Sequence, residues 1–334
     1  MMVKAYIVND VGESFSEIHY SLEKLGPSDV EIDVHSCGIC HSDLSMWKNE
    51  WGISVFPFVG GHEITGVIAN IGANVTNHKV GDKVGLGWHN GYCKNCNQCL
   101  SGDHNLCKEQ STTIIGNYGG FSEKVIAQDI SVVKLPEQLD LKDAGPLLCG
   151  GVTVFNPLIQ FGVKPTDKVA VIGIGGLGHL AVQFYKAWGC EVTAFTSENK
   201  FVEAENFGAH YVFNSRKEKS YEHNIGKFDF VISTVNASLN WQLIISTLAP
   251  KARLHFVGVV PEPIVTGVFP LIAGQISLSG SPVGSPATIT TMLDFAARHN
   301  IKPVTEHFKM SEINQAFAHL ESGESRYRIV LNKD

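Results

Sequence analysis

A glycine-rich turn between a strand pattern and a helix pattern is the feature that most constrains the fold of this 334-residue chain. The turn reads GIGGLG at residues 173–178, directly after the apolar run 168–172 and at the start of the helical pattern 176–188. A turn of this kind in this context binds a dinucleotide, because its glycines let the backbone approach a pyrophosphate at the helix N-terminus. An ordinary glycine-rich βα loop is the alternative. The residues predicted to contact the dinucleotide are Gly173, Gly175, Gly176, Leu177 and Gly178.

Strand and helix patterns alternate through the second half of the chain. Strand patterns such as 191–196 and 253–257 are apolar on both faces and are separated by helical segments. Such an alternation indicates a parallel sheet covered on both sides. The first half instead has short strand patterns, such as 66–71, and few helical segments. We therefore predict an α/β chain, with a doubly wound Rossmann domain at residues 151–285 and a β-rich domain at residues 1–150, to which residues 286–334 return.

The residues after the second Rossmann strand are expected to select between NAD and NADP. An NAD site places a carboxylate there, whereas this chain reads FTSENK at residues 195–200. The hydroxyls of Thr196 and Ser197 leave space for a 2′-phosphate, and Lys200 can balance its charge. We therefore predict NADP(H) as the cofactor. NAD(H) is the alternative, because Glu198 would favour it if its carboxylate reached the ribose.

Composition excludes several classes of protein. Hydrophobic residues make up 44% of the chain and charged residues 18%, so the chain can bury a full core and is not disordered. The net charge is −7 and there is no basic block, which argues against a nucleic-acid partner. Glycines break the longest apolar stretch, at residues 169–182, so no membrane span is expected. No signal-peptide pattern opens the chain, and we expect a cytoplasmic protein.

Half of the eight cysteines lie between residues 93 and 107, in the pattern C-x2-C-x2-C-x7-C. Four thiolates on one short lobe are typical of a structural zinc site, which leaves no open position for a substrate. An iron–sulfur cluster is the alternative, but its cysteine run closes with a three-residue gap and Cys-Pro, whereas a gap of seven and then a lysine occur here. The predicted zinc ligands are Cys93, Cys96, Cys99 and Cys107.

Three further candidate ligands, Cys40, His62 and Cys149, are dispersed along the chain. Their spacing alone predicts nothing, because an isolated buried cysteine usually behaves as a small apolar residue and an isolated histidine usually belongs to the core. The motifs around them are CHSD at residues 40–43, GGHE at residues 60–63 and LLC at residues 147–149.

In their order along the chain, these motifs, the four-cysteine lobe and the glycine-rich turn resemble the zinc-dependent medium-chain alcohol dehydrogenase family. The resemblance covers essentially the whole chain. Residues 145–151 and 195–200, with YRI at residues 327–329, are most similar to the cinnamyl-alcohol-dehydrogenase-like branch, which reduces aldehydes with NADPH. The resemblance implies that the β-rich domain is a GroES-like catalytic domain, and that the protein is a homodimer or homotetramer.

The resemblance also implies roles for individual residues. Cys40, His62 and Cys149 would bind a catalytic zinc ion with one position open, so that each chain holds two zinc ions in all. Glu63 is similar to the carboxylate that transiently binds this metal, and Asp43 to the acid that orients the zinc-bound imidazole. The other implied roles are proton acceptor from the alcohol for Ser42, contact with the cofactor phosphates for His41 and Arg328, and contact with the nicotinamide for Thr153.

Three residues of the expected active site need separate interpretation. Many relatives have a histidine where this chain has Ser45, and that histidine ends the proton relay. Serine does not titrate near neutral pH, so the relay must end in another way. Trp51 and Trp88 fall where relatives that act on small alcohols place indoles that narrow the substrate pocket, with a plain core role as the alternative.

The expected reaction is hydride transfer between NADP(H) and a primary alcohol or aldehyde, with zinc polarising the substrate oxygen. An NAD-dependent dehydrogenase of small alcohols is one alternative. A zinc-free, quinone-reductase-like protein of the same fold is another, but it would lack the cysteine lobe. The third is a non-catalytic, zinc-stabilised nucleotide-binding or sensor protein, against which the trio Cys40, His62 and Cys149 argues.

Overall fold

The computed structural model describes residues 2–334 and separates into two compact units. One unit comprises Met1–Val152 with Val283–Asp334, and the other comprises Thr153–Pro282. The first boundary falls inside the helix Gly150–Gln160 rather than in a loop. Across residues 2–334, no helix has both the length and the apolar character needed to span a membrane.

The strands and the α-helices are numbered separately, in their order along the chain. The strands are β1 (Met2–Ile7), β2 (Ser16–Ser21), β3 (Asp29–Ile39), β4 (Glu63–Ile71), β5 (Lys83–Leu86), β6 (His89–Gly91), β7 (Ser111–Thr112), β8 (Lys124–Gln128), β9 (Val132–Lys134), β10 (Lys168–Ile172), β11 (Glu191–Thr196), β12 (Tyr211–Asn214), β13 (Phe228–Ser233), β14 (Leu248–Phe256), β15 (Ser277–Gly280), β16 (Thr305–Lys309) and β17 (Arg328–Asn332). The α-helices are α1 (His41–Trp47), α2 (Asn97–Leu100), α3 (Gly150–Gln160), α4 (Gly178–Trp188), α5 (Phe201–Asn206), α6 (Glu218–Glu222), α7 (Trp241–Ser246), α8 (Val268–Gly274), α9 (Pro286–His299) and α10 (Ile313–Ser322).

The unit Thr153–Pro282 is built on a parallel six-stranded sheet in the order β12-β11-β10-β13-β14-β15. Its strands are buried because apolar residues occupy both of their faces, as in β10 and β11. The chain reverses its direction across the sheet between β10 and β13, which is where such sheets bind dinucleotides. The strand predicted at 253–257 begins earlier, at Leu248, because β14 pairs with β13 from that residue onward.

The other unit is built on a seven-stranded sheet in the order β16-β17-β3-β4-β5-β9, with β8 also pairing with β3. Its core includes an apolar cluster that contains Ile32, Ile64 and Ile329. The strand predicted at 66–71 begins three residues earlier, because Glu63 pairs with Gly38. A Rossmann sheet with a second, β-rich unit was predicted, and this fold class is confirmed.

Strand pairing brings three distant parts of this second unit together. Ile329 of β17 lies opposite Ile39 at the end of β3, and Glu63 at the start of β4 lies opposite Gly38. The residues beside these pairs, Cys40, His62 and Arg328, are therefore neighbours in space although they are far apart in sequence.

A glycine brings the segment that carries Cys149 to the same place. Gly145–Leu148 form a 3-10 helix just before this cysteine. A Cβ atom at Gly145 would lie 2.5 Å from the backbone carbonyl oxygen of Glu63, so a larger residue would push the segment away from β4. Thr65, two residues along β4, donates a hydrogen bond to the carbonyl of Leu141 and holds the same segment.

Candidate active site and metal centres

Four buried side chains with metal-binding atoms meet at the adjoining ends of β3 and β4. Cys40, His62, Glu63 and Cys149 each offer one such atom, and these atoms all lie within 4.8 Å of one another. The sulfurs of Cys40 and Cys149 are 3.9 Å apart, and Nε2 of His62 is 3.3 Å from the sulfur of Cys149. The structure therefore brings together all four residues named from the family resemblance.

This donor set fits a zinc ion. Tetrahedral zinc bonds of about 2.3 Å to sulfur and 2.0 Å to nitrogen separate two sulfurs by about 3.8 Å, and a sulfur from a nitrogen by about 3.5 Å. The observed separations of 3.9 Å and 3.3 Å are close to these values. Oε2 of Glu63 is buried and has no hydrogen-bond partner among the described residues, which leaves a buried carboxylate oxygen available to a cation. Two sulfurs and one imidazole leave one tetrahedral position for a further ligand.

Asp43 holds two of these candidate ligands in place. Its carboxylate is fully buried at the start of α1. One oxygen accepts hydrogen bonds from the backbone N–H of Gly61, at 2.9 Å, and from Nδ1 of His62, at 3.1 Å. The other oxygen accepts from the backbone N–H of Cys40 at 2.9 Å. Asp43 thus leaves Nε2 of His62 as the nitrogen available to a metal, which is the role the resemblance implies for it.

Glu63 also forms a buried ion pair with Arg328. The guanidinium Nη2 donates to Oε1 of Glu63, and the Arg328 residue is only 4% exposed. Burial raises the pKa of Glu63 to about 7, although the nearby Arg328 acts in the opposite direction. Arg328 therefore lies against a candidate zinc ligand. Its implied contact with the cofactor phosphates stays a prediction.

The neighbouring groups lower the pKa of one candidate ligand, Cys40, and raise the pKa values of two others, His62 and Cys149. A hydrogen bond with Cys149, assisted by the positive charge of Arg328, lowers the pKa of Cys40 despite its burial. Burial acts to lower the pKa of His62, but Asp43 outweighs it and raises the pKa. Because the thiolate is the form that ligates metals, the lowered pKa prepares Cys40 for this role.

The four cysteines of the lobe form a second metal-binding cluster. The sulfurs of Cys93, Cys96, Cys99 and Cys107 all lie within 4.8 Å of one another. Cys93 lies 3.9 Å from Cys99 and 3.5 Å from Cys107, sulfur to sulfur. Backbone N–H groups of Asn95 and Cys96 lower the pKa of Cys93 to about 7. Four sulfurs at these separations fit a tetrahedral zinc ion with no position left open.

Helix α1 carries hydroxyl groups next to the first cluster. Ser42 Oγ lies 3.7 Å from the sulfur of Cys40, and His41 is exposed at the first position of the helix. Ser45, where the family resemblance led us to expect a histidine, is buried and donates a hydrogen bond to the exposed carboxylate of Glu50 at 2.7 Å. The Ser45 hydroxyl is therefore linked to the surface by its hydrogen bond to Glu50, a residue that belongs to none of the sequence motifs.

Tryptophans border the same cluster. The Trp88 indole contacts the ring of His62 edge to face, with centroids 4.8 Å apart. Trp51 lies 6.3 Å from Trp88, ring to ring, and both are only partly buried in a cluster with Met46 and Phe58. Partial exposure of an indole next to a candidate zinc ligand is consistent with a wall of a pocket, and it differs from a fully buried core position.

The glycine-rich turn lies between β10 and α4 in the Rossmann unit. The helix begins at Gly178 and not at residue 176, because residues 173–177 form the turn itself. A Cβ atom at Gly178 would lie 1.8 Å from the carbonyl oxygen of Gly173, so close packing of helix and strand requires glycine there. Thr153, which the resemblance places against the nicotinamide, is buried in α3 of the same unit.

The end of β11 holds the residues that were expected to select the cofactor. Thr196 is buried, and Ser197 donates a hydrogen bond to Oδ1 of Asn199 at 2.6 Å. Lys200 donates from Nζ to the carbonyl oxygen of Ile174, in the glycine-rich turn, at 2.9 Å. Glu198, the residue that would favour NAD(H), instead accepts hydrogen bonds from the side chains of Asn214 and Lys217, on the β12 side of β11.

Sequence reasoning missed three partners in these sites: Glu50 for Ser45, Arg328 for Glu63, and Lys217 for Glu198. Glu50 was within reach of a sequence argument, because it lies only five residues after Ser45, just beyond the end of α1. The other two pairs have no local signal, since they depend on which strands are adjacent.

Comparison with known proteins agrees with this geometry. Residues 26–137 match the family described as alcohol dehydrogenase GroES-like domain, and residues 176–298 match the family described as zinc-binding dehydrogenase. The chain is 57% identical to "Aldehyde reductase AdhA" from Synechocystis sp., over 99% of both chains. It is 39% identical to "Cinnamyl alcohol dehydrogenase 2" from Rauvolfia serpentina, over 99% of this chain and 95% of the relative.

Solved structures give the same result. A cinnamyl alcohol dehydrogenase from Sorghum bicolor superposes with a TM-score of 0.95 at 35% identity, over 99% of this chain and 98% of that one. The enzyme titled CAD from Helicobacter pylori, complexed with NADP(H), superposes with a TM-score of 0.91 at 30% identity, over 99% and 98% of the chains. This protein belongs to the zinc-dependent medium-chain alcohol dehydrogenase family, in the branch that includes the cinnamyl alcohol dehydrogenases.

Proposed function

We propose that this protein is an aldehyde reductase that transfers a hydride from NADPH to an aldehyde, forming a primary alcohol, and that it binds two zinc ions per chain. The observation that carries the proposal is the buried set of two thiols, one imidazole and one carboxylate whose metal-binding atoms lie within 4.8 Å of one another. Cys40, His62 and Cys149 would hold the catalytic zinc, with Glu63 as a transient fourth ligand. The lobe cysteines 93, 96, 99 and 107 would hold the structural zinc.

The bound zinc ion would supply a Lewis acid for the substrate oxygen, and NADPH would supply the hydride. The chain would orient both. Asp43 fixes the tautomer of His62, and Ser42 places a hydroxyl 3.7 Å from the sulfur of Cys40, through which a proton would reach the alcohol oxygen. The Ser45–Glu50 hydrogen bond offers a path from α1 to solvent in place of the missing histidine. Trp51 and Trp88 would narrow the substrate pocket and exclude water.

Charge at the end of β11 supports NADPH over NADH. The ammonium group of Lys200 lies at the glycine-rich turn, where it can attract a 2′-phosphate. Thr196 and Ser197 add hydroxyl donors and no negative charge. The Helicobacter pylori relative is titled as a complex with NADP(H), which is consistent with this choice. His41, Thr153 and Arg328 are the remaining proposed contacts to the cofactor, together with the glycine-rich turn.

The proposed function is tested by measuring kcat/KM for a panel of aldehydes with NADPH and with NADH, while the zinc content is counted in parallel. We expect reduction with a higher kcat/KM for NADPH, and a reversal of this order in Ser197→Asp, because a carboxylate there repels the 2′-phosphate and accepts ribose hydroxyls. Wild-type preference for NADH would refute the cofactor assignment. Absence of aldehyde turnover with either cofactor would refute the activity.

We also propose that the chain self-associates as a homodimer or homotetramer. Val265, Val268, Phe269 and Ile272 all expose more than 60% of their surface, and the strand β15 lies at an edge of the Rossmann sheet. An exposed apolar patch of this kind beside an unpaired strand favours association with another chain. Light scattering on the purified protein tests this proposal. A monomer at micromolar concentration would contradict it, and Phe269→Lys should lower the measured mass.

A further inference from the structure

We propose that Asn214 and Lys217 are positioning residues for cofactor selection, because they hold the carboxylate of Glu198 on the β12 side of β11, away from the glycine-rich turn. This inference rests on the proposed use of NADPH. It assigns a role in cofactor selection to two residues that lie outside the segment 195–200 at the end of β11.

Sheet order determines which way the side chains at the end of β11 can turn. β11 lies between β10 and β12, and all three strands are parallel, so their carboxyl ends lie side by side. The glycine-rich turn follows β10. On the opposite side, Asn214 ends β12 directly across from Thr196, and the N–H of Ser215 donates to the Thr196 carbonyl at 2.9 Å. A side chain after β11 can therefore turn toward the dinucleotide turn or toward β12.

The two charged residues after β11 turn in opposite directions. Nζ of Lys200 reaches the Ile174 carbonyl, on the β10 side. Oε1 of Glu198 accepts hydrogen bonds from Nδ2 of Asn214 at 2.8 Å and from Nζ of Lys217 at 2.7 Å, both on the β12 side. The positive group is thus kept at the cofactor turn, while the negative group is held away from it.

The direction of Glu198 matters because the two cofactors differ only at the adenosine 2′ position. A carboxylate that reaches this ribose accepts the hydroxyls of NADH and repels the 2′-phosphate of NADPH. If Glu198 were released from Asn214 and Lys217, it would be free to turn back toward the ribose. The chain therefore retains NADPH selectivity despite an acidic residue next to the selecting segment.

The expected effect is modest because the ion pair is exposed, with side-chain exposures of 65% for Lys217 and 60% for Glu198. Exposed pairs of this kind change an equilibrium by about two- to fivefold. Removing Lys217 should therefore raise the dissociation constant for NADPH by about two- to fivefold, and leave that for NADH unchanged or slightly lower.

A double-mutant cycle tests the inference by direct binding, with the fluorescence of the nicotinamide ring as the readout and no turnover required. Lys217→Met is made in the wild-type background and in the Glu198→Gln background. For each protein, the dissociation constants for NADPH and for NADH are measured, and their ratio is compared. We expect the ratio to change in the wild-type background and to stay constant when Glu198 is already neutral. Asn214→Ala should shift the ratio in the same direction as Lys217→Met.

Lys219→Met is the matched control, because it removes a positive charge from the adjacent helix α6 without removing a hydrogen bond to Glu198. Equal effects of Lys217→Met in both backgrounds, or an equal effect of Lys219→Met, would overturn the inference in favour of direct attraction of the phosphate by positive charge. Tighter binding of NADH by the wild-type protein would instead overturn the proposed cofactor, so the two failures are distinguishable.

Discussion

Replacing Asp43 by Asn tests how the buried acid supports the catalytic zinc site. The substitution keeps the shape of the side chain but exchanges one acceptor oxygen for an NH2 group and removes the charge. If the amide oxygen keeps its bonds with Gly61 and His62, the NH2 group faces the backbone N–H of Cys40, where an oxygen now accepts at 2.9 Å. The alternative orientation leaves two donors unpaired and is less favourable.

The expected loss of zinc affinity follows from the one hydrogen bond that the substitution removes, the bond from the backbone N–H of Cys40. A hydrogen bond to a charged group contributes about 1.5–3 kcal/mol, and the lost partner is a buried backbone N–H of a zinc ligand. A loss of that size corresponds to about a 10- to 100-fold weaker zinc affinity, which is also the usual cost of removing a group that supports a metal ligand. The structural zinc site should be unaffected, because its four sulfurs make no contact with Asp43.

The assay is zinc release to a chromogenic chelator, which should show one phase for each site. In Asp43→Asn, we expect one phase to weaken about 10- to 100-fold while the other remains at the wild-type value. Asp82→Asn is the control, because this acid accepts a backbone N–H from Lys79 in the same unit but contacts neither cluster. Wild-type affinity in both phases of Asp43→Asn would refute the role assigned to this residue.

Three further predictions concern stability and metal content. Cys96→Ser should release the lobe zinc and lower the melting temperature while one zinc ion is retained, because metal binding is coupled to the folding of the lobe; two bound zinc ions and unchanged melting would contradict it. Gly178→Ala should abolish cofactor binding and lower stability, because the new Cβ would lie 1.8 Å from a backbone oxygen, whereas Gly175→Ala meets nothing within 4 Å and should fold normally. Calorimetric melting and fluorescence titration would check this pair. Burial lowers the pKa of His255 to about 4, so between pH 6.5 and 4 the unfolded chain binds a proton that the folded chain does not. The free energy of unfolding should therefore decrease as the pH is lowered through that window, by up to about 1.4 kcal/mol per pH unit from this group. Denaturant titrations at several pH values would measure this slope, and His255→Asn should reduce it.

Features carried by neighbouring residues were predictable from the sequence. The glycine-rich turn, its flanking strand and helix, and the four-cysteine lobe each lie within a short segment, and the structure contains all of them. The predicted ends of helices and strands differ from the observed ends by a few residues, as at Gly178 in α4 and Glu63 in β4. They arise because a helix start depends on the turn before it, and a strand start depends on the partner strand.

Pairs that depend on strand adjacency were not predictable in the same way. Arg328 and Glu63 are 265 residues apart and meet only because β17 and β4 both pair with β3. Lys217 reaches Glu198 only because β12 lies next to β11. Sheet register is set by the packing of the whole domain, so a local pattern cannot specify such contacts. For the same reason, the trio of zinc ligands could be named only from the family resemblance and not from its spacing.

Reduction of an aldehyde by NADPH, measured side by side for the wild-type protein and Cys149→Ala, is the most direct test of a catalytic zinc ion held by Cys149. We expect rapid NADPH oxidation by a wild-type protein with two zinc ions per chain. We expect no measurable turnover by a folded Cys149→Ala variant that keeps the lobe zinc and still binds NADPH, because the metal that polarises the substrate would be lost or misplaced. A Cys149→Ala variant with a rate close to that of the wild type would contradict this role of Cys149, which would then be only a small buried side chain.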